Sequence, residues 1–241
     1  MEDFAGLRCR AEAIIEEIRN AEIRYGRPAG SVRLLAAAKY ALPEELVFLK
    51  DSFGIADFGE NTVQTYRRHS ASLPSADGVR MHFIGSLQTN KVKYIADSVE
   101  MIHSVDSAKL AREIGKRAGA AGRTVKVLIE INSGREPDKG GVLPENAEEL
   151  FEECGEIGGI ETVGFMTMGP KYDNYTDYFN LFEKTYRLSL DIWRKKHDNI
   201  TEPVLSMGMS DSMLPAIAAG SGIVRIGSRL FGRRTPPEIG L

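Results

Sequence analysis

Eight short apolar runs alternate with helical patterns along this 241-residue chain, and no other feature restricts its fold as strongly. The runs span 32–39, 55–58, 81–85, 101–105, 125–132, 162–168, 204–207 and 223–226. Between them lie helical patterns at 43–51, 62–70, 90–96, 107–120, 144–157, 175–196 and 211–219. A leading helix is marked by Phe4, Leu7, Ala11, Ile14, Ile18, Ala21 and Tyr25 at helical spacing. Strands that alternate with helices build parallel sheets, because each crossover packs a helix on the sheet face. Eight such strands predict an α/β fold, a (β/α)8 TIM-type barrel with an additional N-terminal helix. An open doubly wound sheet would carry a glycine-rich turn after its first strand. The stretch Lys39-Tyr40-Ala41-Leu42-Pro43 is not one. Asp106 and Asp211 sit where helix N-caps are expected, and Pro43 and Pro144 where first-turn prolines are. Residues 1–241 read as a single barrel domain, with 233–241 as a loose tail.

The balance of charge narrows the function classes. The net charge is −3, with 42% hydrophobic and 27% charged residues. Such a chain has no overall basic field to hold a nucleic-acid backbone. Two cysteines, Cys9 and Cys154, form no metal-ligand pattern and fit a reducing compartment. The four histidines show no i, i+4 pair with a carboxylate at metal spacing, so no metal is expected. Met1-Glu2-Asp3-Phe4 is not the start of a signal peptide, and no apolar run is long enough to span a bilayer. A cytoplasmic protein that binds neither nucleic acid nor membrane is the expectation.

In a barrel of this type the C-terminal strand ends converge on one rim, where active sites lie. Lys39 closes the first apolar run, Leu34-Leu35-Ala36-Ala37-Ala38-Lys39. Burial of an ammonium group lowers its pKa, and a neutral amine can form a Schiff base with an aldehyde or ketone. The alternative is an ammonium that simply reaches solvent at the strand end. Strand seven runs into Ser206-Met207-Gly208-Met209-Ser210-Asp211, and strand eight into Arg225-Ile226-Gly227-Ser228. Barrels frequently bind phosphate at the loops after strands seven and eight. Glycine lets the backbone approach the phosphate and serine adds hydroxyl donors, though both turns could also be ordinary caps. Arg225 lies between Val224 and Ile226. If those two face helices, Arg225 points into the barrel and needs an acceptor. A pyridine nitrogen would serve, and so would a core ion pair with Glu130. His82 and His103 read as hydrogen-bonded rim residues, and Met166, Met168, Met207 and Met209 as core filler or as padding for a ring face.

Several stretches together resemble the YggS/PROSC family of pyridoxal phosphate homeostasis proteins, whose barrel is shared with the N-terminal domain of alanine racemase. They are Ala38-Lys39, Phe58-Gly59-Glu60-Asn61 with Gln64, His82-Phe83-Ile84-Gly85 with Leu87-Gln88 and Asn90-Lys91, Glu136 with Lys139 and Gly141, Gly164-Phe165-Met166, 205–211, and 224–228 with Phe231-Gly232. The resemblance implies that Lys39 carries pyridoxal 5′-phosphate (PLP) as an internal aldimine. It implies that Ser206, Gly227 and Ser228 hold the phosphate, that Arg225 faces the pyridine nitrogen, and that Asn61, Met166 and Met207 surround the ring. Tyr40-Ala41-Leu42-Pro43 departs from the family's usual turn after the lysine, and Ser228 stands where threonine is more usual.

Three functions compete: a non-catalytic PLP carrier and regulator in intracellular homeostasis, a PLP-dependent amino-acid racemase, and a Schiff-base enzyme acting on a sugar phosphate. Racemases resembling this barrel have a further β-domain and a partner that supplies a tyrosine base, and little chain follows strand eight here. An arginine at the pyridine nitrogen also weakens the ring as an electron sink, because a cation disfavours a second positive charge nearby. In sugar-phosphate aldolases the lysine usually lies on a later strand. The carrier reading is preferred. A monomer is expected, with PLP itself and PLP-dependent enzymes or free amino acids as partners.

Overall fold

The computed structural model describes residues 4–73, 78–197 and 202–232. The expected tail at 233–241 lies outside them. Eight parallel strands close into a barrel in chain order: β1 Arg33–Ala37, β2 Asp57–Glu60, β3 Arg80–Phe83, β4 Met101–Val105, β5 Val125–Ile131, β6 Ile160–Thr167, β7 Val204–Ser206 and β8 Ile223–Ile226. The helices are α1 Ala5–Arg24, α2 Pro43–Phe53, α3 Val63–Ser72, α4 Ala108–Ala120, α5 Ala147–Gly155, α6 Tyr175–Arg194, α7 Met213–Ala218 and α8 Ser228–Phe231. The predicted helix at 90–96 is a 3-10 helix over Thr89–Tyr94. Among the described residues no helix is long and apolar enough to cross a membrane.

Each strand sorts its side chains by period two. Outward residues such as Ala36, Phe58, Phe83, Ile129, Phe165 and Val224 join the helices in the main core. Inward residues Leu35, Met101, Leu128, Met166 and Ile223 form a separate apolar plug inside the barrel. Two positions further along the same strands stand Ala37, His103, Glu130, Met168 and Arg225. The plug therefore forms the floor of the mouth, and the next layer up carries its chemistry.

β8 pairs with β1 in register, Leu35 beside Arg225 and Ala36 beside Ile226, which closes the ring. The buried face of α1, through Leu7, Ala11, Ile14, Ile18 and Ala21, covers this seam beside α7 and α8. Arg10 Nε ties α1 to the Leu230 carbonyl at 2.7 Å. Two helix starts differ from expectation by one residue. Ser107, not Asp106, caps α4, its hydroxyl accepting from the Leu110 N–H at 3.4 Å, and Ser212 precedes α7. Serine follows aspartate at both places, but only Ser107 closes its helix with a side-chain cap; Ser212 makes none.

Candidate functional site

A cavity of about 430 Å³ opens at the C-terminal mouth of the barrel. That volume suits a small cofactor. Of the residues expected there, Asn61, Arg225, Gly227 and Ser228 line it, and so does Ala37. The loops place them through close packing. A Cβ on Gly85 would fall 2.1 Å from the Asn61 carbonyl oxygen, so this glycine lets the loops after β2 and β3 meet. A side chain on Gly227 would press on the Ala37 carbonyl at 3.2 Å, which brings the turn after β8 against the end of β1.

Arg225 points inward, flanked by outward-packed Val224 and Ile226. It is 5% exposed. Its Nη1 donates to the Ser206 carbonyl and to Ser206 Oγ, both at 2.7 Å, and its Nη2 donates to the Thr167 carbonyl at 3.0 Å. Burial pushes its pKa down to about 10, with Glu130 opposing, so it stays cationic at neutral pH. Glu130 is not a hydrogen-bonded partner of the guanidinium; it acts through its charge. Its own carboxyl is pushed up to about 7 by burial and by the neighbouring Asp106 charge, with Arg225 pulling the other way.

Four expected residues, Lys39, Met166, Ser206 and Met207, are not among those that line the cavity. Ser206 is fully buried, its hydroxyl engaged by Arg225 and by His103 Nδ1 at 3.0 Å, so it supports the arginine rather than facing a phosphate. Met207 follows it and, by alternation, faces outward into the main core, away from the mouth. Met166 belongs to the plug below. Met168 and Met209, read as core filler or ring padding, line the cavity as apolar walls, and Ser210 joins them, its Oγ 3.2 Å from Ser228 Oγ. Alternation from Met166 leads to Met168, and Ser210 was visible as part of the turn after strand seven.

Lys39 differs from expectation in its surroundings. β1 ends at Ala37, the chain turns, and the Lys39 side chain is exposed with Nζ 4.8 Å from the centre of the Tyr40 ring. The desolvation expected of a strand-buried ammonium is missing, because the amine sits past the last paired residue. Lys139 and Lys171 line the cavity with Arg225, against Asp211 as the lining carboxylate. Three cations converging on one concavity favour an anionic ligand. The mouth thus offers a buried inward donor at its floor, small hydroxyl-bearing turns on one side, thioether walls and two lysines, Lys139 and Lys171, in its lining. That set fits a flat heteroaromatic aldehyde bearing a phosphate.

The alanine racemase N-terminal domain family matches residues 11–235. A pyridoxal phosphate homeostasis protein of Aquifex aeolicus is 42% identical over 225 residues, covering 93% of this chain and 97% of the relative. A crystal structure of an unknown protein from Bifidobacterium adolescentis superposes with a TM-score of 0.86 at 34% identity, covering 96% and 98% of the two chains. PipY of Synechococcus elongatus PCC7942, solved with PLP bound, gives 0.75 at 27% identity, covering 92% and 100%. A barrel of this form, similar along nearly its whole length to such relatives, belongs to the pyridoxal phosphate homeostasis (YggS/PROSC) family.

Proposed function

We propose that this protein binds PLP in the barrel mouth and holds it on Lys39 as an aldimine, serving as a carrier and regulator of the cofactor rather than as a catalyst. One observation carries the reading. Arg225 is presented in a cavity of about 430 Å³ at the barrel mouth, charged, buried and already fixed by three hydrogen bonds. Likeness to a relative solved with PLP supports it. In this reading Arg225 meets the pyridine nitrogen, and Gly227, Ser228 and Ser210 receive the phosphate. Asn61 and Met168 flank the ring, while Ser206 acts from beneath. PLP supplies an aldehyde; attack by the Lys39 amine forms C=N and releases water. A cationic guanidinium against the ring nitrogen disfavours protonation there and so limits carbanion chemistry. The chain, 1–241, would work as one cofactor-binding barrel in the cytoplasm, as a monomer. PLP-dependent enzymes or free amino acids would be the recipients of its cofactor.

The test is borohydride reduction of the PLP-loaded protein followed by peptide mass spectrometry. The adduct is expected on Lys39 and is expected to vanish in Lys39→Ala. An adduct on Lys91 or Lys139 in the unmodified protein would refute the assignment.

A further inference from the structure

A file of buried hydrogen bonds runs through the barrel from its N-terminal end to Arg225. Arg80 Nε and Nη2 donate to Asp57 Oδ1 and Oδ2, each at 2.7 Å. His82 Nε2 lies 2.9 Å from Asp57 Oδ1, and His82 Nδ1 lies 2.9 Å from His103 Nε2. His103 Nδ1 meets Ser206 Oγ at 3.0 Å, and Arg225 Nη1 donates to the same oxygen. His82, His103 and Ser206 are each at most 1% exposed. Asp57 opens β2 and Arg80 opens β3, whereas Ser206 closes β7. The chain therefore crosses the barrel lengthwise.

Proton counting gives this file a direction. Burial resists ionisation of Asp57, but hydrogen bonds from Arg80 and His82 outweigh it and hold the carboxyl well below the usual range. A carboxylate only accepts, so His82 Nε2 carries the hydrogen. Burial above all, with the Arg225 charge, pushes His103 well below the usual histidine range, so it is neutral. Two arrangements remain. If His82 also donates through Nδ1 it is an imidazolium, and neutral His103 then donates from Nδ1 to Ser206 Oγ. That oxygen then accepts twice, and its own hydrogen has no recipient among the described residues. If His82 Nδ1 accepts, His103 donates from Nε2, Ser206 donates to His103 Nδ1, and every hydrogen is placed. A stranded buried hydroxyl hydrogen is costly, so the second arrangement wins. Every donor then points toward Asp57.

We propose that Asp57, His82 and His103 are positioning residues for Arg225: the Asp57 carboxylate fixes both imidazoles as Nε2–H tautomers, which turns a Ser206 lone pair onto the guanidinium and aims it at a heteroaromatic nitrogen in the mouth. The proposal rests on the PLP reading of the site. It assigns a part in cofactor binding to a carboxylate at the opposite end of the barrel.

Two measurements test it. In the cofactor-free protein labelled with ¹⁵N-histidine, long-range ¹H–¹⁵N spectra should show a bare Nδ1 and a protonated Nε2 on both His82 and His103. A protonated Nδ1 on either ring overturns the proposal, and this requires no variant to fold. PLP affinity is then followed by absorbance titration in Asp57→Ala, Ser206→Ala and the double variant. Each single change should weaken binding roughly tenfold, the loss expected for one buried hydrogen bond. The double variant should lose no more than either alone, because both cut one chain. Independent local damage would instead multiply to about a hundredfold, and that result overturns the proposal. Failure of the unmodified protein to bind PLP would overturn the reading of the site. The two failures are distinguishable because the tautomers are read without cofactor.

Discussion

Glu130 carries its carboxyl into the layer that holds Arg225 and His103, and its pKa of about 7 makes it sensitive to ordinary changes of pH. Its folded pKa lies above the usual value of 4.5, so the folded protein binds the proton more tightly than the unfolded chain. Stability should therefore fall as pH rises from about 4.5 to 7 and level off above, by roughly 3 kcal/mol at most. Glu130→Gln removes the titrating group. Its stability relative to the unmodified protein should increase between pH 5 and pH 8 by about 1–3 kcal/mol, measured by urea denaturation at both values. A constant difference would show that Glu130 does not titrate in that window. The turn after β8 gives a second expectation. Gly227→Val should weaken PLP binding more than Ser228→Ala, because a branched side chain would push the turn off the Ala37 carbonyl while the serine change removes one exposed hydroxyl. Titration of both variants decides it, and the reverse order would argue against a site built by the backbone.

β6 shows how one residue redirects a strand. Its pairing with β5 slips between Val127 and Leu128, so that Thr162 and Gly164 are consecutive partners and Val163 is extra. The bulge shifts the inward parity: Val163 faces the plug, and so do Met166 and Met168 after it. Gly164 permits this, since a Cβ there would stand 2.0 Å from the Val204 carbonyl oxygen of β7. Gly164→Ala should cost about 2–4 kcal/mol by thermal or urea unfolding. A cost under about 0.5 kcal/mol would mean that β7 can move aside. Such a slip is not written in the alternation of residues 162–168, so the sequence left Met168 open between core filler and a wall of the mouth. Arg225 was legible because its outward neighbours are both β-branched. Ser206 and Met207 were harder, since β7 has only three paired residues and a phosphate turn can take either side chain. The inward file through Asp57, His82 and His103 was invisible in one dimension. It joins residues from five strands whose registers only the closed barrel sets.

At the scale of the molecule, charged Arg225 against the ring nitrogen, as proposed, should give binding without turnover. PLP-loaded protein incubated with L-alanine in deuterated water should show no Cα exchange in the ordinary enzymatic range of roughly 1–10³ s⁻¹ by NMR. Exchange within that range would favour the racemase reading. The closure of the ring has a consequence for the protein's synthesis. Lys39 follows β1, whereas Arg225, Gly227 and Ser228 belong to β8 and its turn, nearly the whole chain later. These parts meet only where the last strand pairs with the first. A nascent chain on the ribosome thus has its lysine long before it has a pocket. If the cofactor is held on Lys39 as proposed, the complete site exists only after the final strand has emerged and docked.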